Sequence, residues 1–403
     1  MRATLPPVGM VSTSATNLIV CGIAAGRSAS GPARAGDRAK IIRLSRIWAG
    51  NAQGKRMMET SRIESTGGVC LNPNGATEVG DDVKGRKAIG RWIGVAIPFL
   101  IAVALFFVIN VIIPGYANLN SFLSLLLLAS LLGLASVGQT LTIIIGGFDM
   151  SIPAVMGLAN VLVSLLYGAG VPIWVAVGLI IMLSMAIGLM NGFASRYLQL
   201  NPLVVTLAMG SIVLGTVWAG THGEVSGSVP DWLVASVSVI GSTGPIPLPG
   251  VVVVWAVVSV LALLLENYTV LGRWIFAAGA NPRAAEIAGV PMLFVWMSVY
   301  AISAVMAAIT GILLAGFSGA ADPTVGASYL FMTVAAVVVG GTALTGGQGG
   351  YARTIAGCFV VTELSILLVG VGLDQPGQQI CLGILIVVLV ALYGRDRPLS
   401  MRL

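Results

Sequence analysis

Ten apolar runs follow one another from Trp92 onward, parted only by short breaks rich in Gly, Pro and Asn. They cover 93–113, 122–145, 152–167, 173–190, 203–219, 251–265, 292–315, 330–339, 355–371 and 380–393. Only 9% of the 403 residues are charged, against about a quarter in an ordinary soluble domain. So few charges cannot cover a water-facing surface, so lipid must be the main solvent. Backbone groups in hydrocarbon have no water to bond, so each run must be helical. The fold class is therefore all-α: a polytopic transmembrane helical bundle of about ten spans with interrupted helices. The run 330–339 falls well short of the roughly 20 residues a crossing needs, and it leads into the Gly-rich stretch 340–350. A similar break, 146–151, follows the second run. Such breaks survive only inside protein or beside a water-filled cavity. The match of Ile-Ile-Ile-Gly-Gly (143–147) with Val-Val-Val-Gly-Gly (337–341) hints at an internal repeat, too brief to establish one.

Charge placement supplies an independent reading of topology. Fourteen of the 21 Lys and Arg residues lie within 1–91, and no Lys follows Lys87. Lys84, Arg86, Lys87 and Arg91 precede the first run, which places the N-terminus inside. Ten crossings then put Arg196, Arg273, Arg283, Arg353, Arg395, Arg397 and Arg402 on the cytoplasmic side. The opposite loops carry His222, Glu224, Asp231, Asp322 and Asp374, with no Lys or Arg. Both termini are expected in the cytoplasm. The net charge of +6 is accordingly topology, and no nucleic-acid partner is expected.

Residues 1–88 are rich in Arg, Ser, Gly and Thr, and their one apolar run, 18–25, is too short to span. A lone Arg2 makes a poor signal-peptide n-region. The stretch reads as a disordered cytoplasmic tail, with Met57-Met58 as an alternative start that would leave its first part untranslated. A transmembrane permease domain is expected over 89–395 and a cytoplasmic tail over 396–403. The four cysteines show no metal-binding spacing and there is a single histidine, so neither a zinc site nor a disulfide framework is indicated. The stretch 50–56 superficially resembles a phosphate-binding loop, but it is one residue short and has Arg56 where a Ser or Thr should hold magnesium. With no nucleophile elbow, carboxylate pair or metal cluster, neither an enzyme nor a cofactor is expected. An ATP-driven process would need its ATPase on another chain.

A few polar residues interrupt the apolar pattern. Asp149 sits where a carboxylate facing lipid would be costly. It is either a polar contact in a permeation path or, with Ser151, a cap for the helix that opens at Pro153. Glu363 lies near the centre of the ninth run, where an acid costs about 2.5–3.5 kcal/mol on insertion scales and so must face protein or water. It suits a proton or cation site, a substrate contact, or a protonated carboxyl bonded to a neighbouring helix. Gln139, Asp149, Asn191, Thr206 and Glu363 together form the candidate translocation path. Gly188 and Gly192, four apart, allow two helix backbones to approach closely, and packing within one subunit is the expected use.

The longest cytoplasmic insertion is 266–291. Asn281 and Pro282 should open a short helix over 283–288 that Gly289 ends. Arg283 and Glu286, three apart, share a face and could contact a partner or each other. Spacing alone leaves open whether this is a solvated loop or a docking element. Here the residues become specific. The segment GRWIFAAGANPRAAEIAGV (272–290) resembles the cytoplasmic coupling segment of the ribose-type monosaccharide permeases of bacterial ABC importers. GQTLTIIIGGFDMS (138–151), NGFASRYLQLNPLVVTLAMGSI (191–212) and AAVVVGGTALTGGQGG (335–350) resemble three further segments of that family, in the same order. Two departures stand out: Phe148 and Met150 flank Asp149 where Ile and Leu are usual, and Glu363 stands where Asn or Gly is expected.

The resemblance implies a permease subunit in the bacterial inner membrane that forms a path for a monosaccharide, sugar alcohol or related solute. It further implies pairing as a homodimer or heterodimer, cytoplasmic ABC ATPase subunits, and a periplasmic or lipid-anchored solute-binding protein. Gly272, Arg273, Gly279, Asn281, Pro282, Arg283, Glu286 and Gly289 would then form the ATPase-coupling segment. The alternatives are a branched-chain amino-acid ABC permease and a secondary transporter using Asp149 or Glu363 for ion coupling.

Overall fold

The computed structural model describes residues 96–225, 227–239 and 248–394. The expectations for 1–88 and 396–403, and the C-terminal residues Arg395, Arg397 and Arg402, lie outside the described residues. Thirteen α-helices and no strands occur among the described residues. They are α1 Ala96–Ile112, α2 Leu119–Ile144, α3 Ile152–Gly168, α4 Ile173–Arg196, α5 Pro202–Gly220, α6 Asp231–Ser236 and α7 Gly250–Tyr268. There follow α8 Val270–Ala280, α9 Pro282–Ile287, α10 Met292–Ser318, α11 Tyr329–Val339, α12 Tyr351–Gly370 and α13 Gln375–Gly394.

Among the described residues, each apolar run lies in a helix to within a residue or two at its ends. Six helices, α2, α4, α5, α7, α10 and α12, are long and apolar enough to cross a membrane. The remaining four runs give α1, α3, α11 and α13. At a rise of about 1.5 Å per residue, α11 reaches only about 17 Å of a hydrocarbon layer near 30 Å thick. Helix ends depart from the apolar runs where small polar residues face protein. Thus α4 continues past Met190 to Arg196, because Asn191, Gly192 and Ser195 are buried against neighbours. Likewise α7 runs through a buried Glu266 to Tyr268, so the insertion starts later than expected.

The bundle is organised around α2 and α10. Every residue of α2 from Ala129 to Ile144 is buried, so protein surrounds that half of the helix. The most apolar window of α4, α5 or α7 is only 28% buried, and Met182, Ile212 and Leu261 on these helices are exposed where lipid would lie. Helix α10 packs against α2, α3 and, most extensively, α4. There the glycine spacing does what was expected of it. A Cβ on Gly188 would fall 2.3 Å from the Tyr300 carbonyl oxygen, and one on Gly192 would fall 2.6 Å from the Met297 Cα. The two backbones touch, and side chains have no room between them.

The local sequence match corresponds to two helix ends of one design. At the end of α2, Gly146 takes φ 84°, its N–H bonds the Ile143 carbonyl (3.0 Å), and the Gly147 N–H bonds Thr142 (2.8 Å). At the end of α11, Gly341 takes φ 84°, its N–H bonds Val338 (2.9 Å), and the Thr342 N–H bonds Val337 (3.1 Å). Both are Schellman terminations, with the left-handed glycine one residue later in the second.

Gly192→Leu should lower the midpoint of thermal unfolding in detergent, because forcing volume into a filled interface costs about 1–3 kcal/mol or more. Gly178, on the same helix, has nothing within 4 Å of its Cβ position. Gly178→Ala should therefore raise the midpoint slightly, by roughly 0.5–1 kcal/mol of helix propensity.

Candidate functional site

The break between α2 and α3 is pinned from three sides. The Phe148 carbonyl accepts from the Tyr300 hydroxyl (3.2 Å) of α10. The Met150 N–H donates to the Thr206 hydroxyl oxygen (3.0 Å) of α5. Asp149 is 2% exposed and uses both carboxylate oxygens. Oδ1 accepts from the Ser151 N–H (3.0 Å) and hydroxyl (2.6 Å), and Oδ2 accepts from the Ser303 hydroxyl (2.6 Å) of α10. The Asn191 amide of α4 donates to the Ser151 hydroxyl oxygen (3.0 Å). Short bonds to a carboxylate are among the stronger hydrogen bonds in proteins. The capping alternative takes a different form. Ser151 occupies the cap position of α3 but makes no side-chain cap bond, and Asp149 holds Ser151 itself in place of the amides beyond it.

Three of the five candidate path residues, Asp149, Asn191 and Thr206, thus gather at this break. Gln139 and Glu363 do not join them. Gln139 is fully buried on α2 with neither amide atom partnered, and Glu363 on α12 is 2% exposed with Oε2 unpartnered.

The insertion after α7 is two helices in place of a loop. Thr269 is extended and caps α8 by accepting from the Gly272 N–H (3.0 Å). Gly272 lets α8 fold back on α7, since a Cβ there would lie 2.3 Å from the Leu265 carbonyl oxygen. At the far end of α8, a Cβ on Gly279 would lie 1.8 Å from the Ile144 carbonyl oxygen of α2 and 2.6 Å from the Gly347 nitrogen. The Gly347 N–H itself bonds that Ile144 carbonyl (2.8 Å). The end of α8 therefore seats on the end of α2 and on the Gly-rich loop after α11.

Helix α9 then forms as the sequence indicated. The Asn281 side chain accepts from the Ala284 N–H (3.1 Å), Pro282 occupies the first turn, and Gly289 takes φ 82°. The helix runs from Pro282 to Ile287 and buries only Ala285, leaving Ile287 89% exposed. Arg273 and Arg283 are exposed. Glu286 pairs with Arg196 at the end of α4 and not with Arg283. The pairing follows from fold, because α4 and α9 meet at that corner.

The sequence profile of the branched-chain amino acid transport system / permease component matches residues 121–390. The chain belongs to this permease family. It is 30% identical to the ribose import permease protein RbsC of Bacillus subtilis strain 168, over 73% of this chain and 91% of that protein. It is 30% identical to the fructose import permease protein FrcC of Rhizobium meliloti, over 74% of this chain and 84% of that one. It is also 30% identical to the autoinducer 2 import system permease protein LsrD of Klebsiella pneumoniae, over 64% of this chain and 79% of that one. No solved structure matches the chain.

This permease is a multi-pass membrane protein, and the matched range contains both the Asp149 cluster and the α8–α9 segment. Sequence reasoning missed Ser303, Tyr300 and Glu266. Glu266 is 6% exposed, and its two oxygens accept the Tyr351 N–H (3.0 and 2.9 Å) at the start of α12. A carboxylate there satisfies a free amide and suits the positive end of the helix. The Tyr351 hydroxyl in turn donates to the Gly133 carbonyl (2.9 Å) and accepts from the Trp255 indole (2.9 Å). The available signal was an acid at the end of an apolar run, which reads equally well as a solvated terminus.

Ser303→Ala in the permease should cost about 1.5–3 kcal/mol, the usual worth of a hydrogen bond to a charged group. Gln139→Leu should leave thermal stability unchanged or raised, because neither amide atom has a partner to lose. Unfolding midpoints of the two variants, measured side by side in one detergent, check both.

Proposed function

We propose that this permease is the membrane-spanning subunit of a bacterial ABC importer for a small sugar-like solute. Two cytoplasmic ATPase subunits would drive it, and a periplasmic or lipid-anchored binding protein would deliver the solute. The profile is described for branched-chain amino acid systems, but the relatives are named for ribose, fructose and autoinducer 2, which favours sugar-like cargo. One observation carries the ATP-coupled reading. Helix α9 is capped at both ends yet stands almost wholly exposed, with an apolar Ile287 at its tip. A rigid, outward-facing element with most of its surface uncovered fits a partner's groove. A secondary carrier has no use for one.

The geometry supplies a route from that element to the Asp149 cluster. Helix α9 leads directly into α10, which carries Ser303 and Tyr300. It is also tied through Glu286 and Arg196 to α4, which carries Asn191. Through α8 it rests on the end of α2, next to the break itself. A tilt of α9 would therefore bear on α2, α4 and α10 together. In this reading both termini and Arg196, Arg273, Arg283 and Arg353 face the cytoplasm. The permease works as a dimer, with itself or with a similar subunit.

Reconstituted uptake should require ATP and the ATPase and should persist when ion gradients are collapsed. Uptake by this chain alone on a proton or sodium gradient would overturn the reading. Reporter fusions after Glu224, Asp322 and Asp374 should report the outside, and fusions after Arg196, Arg283 and Arg353 the inside.

Gly289→Val forces a branched side chain into the left-handed region at a cost of about 1–2 kcal/mol. That is roughly tenfold in the population of correctly shaped α9. Membrane insertion should survive while uptake per ATP hydrolysed falls, and Pro282→Gly should act in the same direction. Arg273→Gln should cost less than either. Arg196→Glu or Glu286→Arg alone should lower the coupling ratio, and the double charge reversal should restore part of it. Coupling ratios measured on assembled transporters decide between a coupling segment and a plain connection.

A further inference from the structure

Glu363 is a carboxyl group that the protein leaves unanswered. It lies near the middle of α12, is 2% exposed, and its Oε2 is occluded without a partner. No residue among those described donates a hydrogen bond or forms an ion pair with it. Helices α2, α7, α11 and α13, which pack on α12, contribute no Lys, Arg or His, and neither does α1. An ionised carboxylate in such surroundings needs a counter-charge. Protonation would remove the charge, yet Oε2 makes no hydrogen bond in the structure, which a donor or an acceptor there would need.

A way in lies beside it. Tyr116, in the connection between α1 and α2, has an occluded hydroxyl with no partner. Burial first, and then the nearby Glu363 carboxylate, raise its phenol above the ordinary range. The same Tyr116 lines an open cavity of about 500 Å³, with Asn118, Asn120, Ser121 and Ser124 from the start of α2 and Ile366 from α12. Ile366 is three residues from Glu363 and so on the same helix face. The carboxyl thus sits one turn along α12 from the cavity wall. A polar chamber, a tyrosine that supplies both an oxygen and a ring face, and an unpaired carboxylate form a recurring arrangement for cations.

We propose that Glu363 anchors a binding site for a monovalent cation that is reached through the Tyr116 cavity. Two sources share that chemistry: an alkali-metal ion and the ammonium group of an amino-bearing solute. Under the ten-span orientation the cavity opens on the side opposite α9, so an ammonium-bearing cargo would meet the site from outside. The site itself stands on geometry within this chain and does not need the ATPase partners.

The test uses the full chain purified in nanodiscs. Thermal unfolding is followed in NaCl against choline chloride at constant ionic strength, and separately in glucosamine against glucose. A saturable upward shift in the sodium arm identifies a metal-ion site, and one in the glucosamine arm an ammonium site. In either arm the shift should be lost in Glu363→Gln and weakened in Tyr116→Ala. A second measurement keeps to the wild-type chain: labelling of Glu363 by dicyclohexylcarbodiimide, read by peptide mass spectrometry, should be suppressed by the probe that shifts unfolding. No saturable shift in either arm, or the same shift in Glu363→Gln, overturns the site. So does labelling indifferent to both probes. Any of these results would leave the permease reading standing.

Discussion

A backbone that leaves helical form inside a membrane must find all its hydrogen-bond partners in protein. At the break between α2 and α3 that requirement falls on six residues, 146–151, and it explains the polar residues around them. Tyr300 takes up the Phe148 carbonyl, Thr206 the Met150 amide, and Asp149 the Ser151 amide. Asp149 then needs donors of its own, which Ser151 and Ser303 provide. One interrupted helix therefore accounts for polar positions on α4, α5 and α10 that would otherwise look scattered. It also accounts for α2, whose C-terminal half is sealed in protein so that the break never meets lipid.

The second interruption, after α11, is solved differently and is joined to the first. Its glycines have no side chains to bond with, so backbone bonds backbone: the Gly347 N–H reaches the last carbonyl of α2. Glu266 closes the far side by holding the first amide of α12. The two breaks lean on each other, and α8 is wedged against both. The Asp149 break, the Gly-rich loop and α8 are thus parts of one contact region.

The helices were legible because apolar runs in lipid have one stable form. Asn281, Pro282 and Gly289 were legible for a similar reason, since caps act within a few residues and leave a local signature. Partners distant in sequence were not. Ser303 lies 154 residues from Asp149, and no pattern distinguishes it from the other serines in apolar helices. Spacing left Glu286 free to meet a partner or Arg283, its neighbour on the helix, but tertiary packing brings it to Arg196. The end of α4 was misplaced because Asn191 and Ser195 look like a boundary when solvent is assumed to be the alternative. Gly279 entered only through the resemblance, and its structural reason is a contact with α2 that no local reading contains.

That contact has a mechanical consequence. At Gly279 the backbones of α8 and α2 meet with not even a methyl group between them. Flexible side chains at an interface act as a cushion, absorbing small displacements by changing rotamer. Here there is no cushion, and the joint has almost no play. Under the proposed coupling role, a displacement of α8 would bear directly on the last carbonyl of α2, two residues from the start of the break. In the proposed ATP-driven importer, stiffness at this one joint would govern how much of a partner's stroke reaches the Asp149 break.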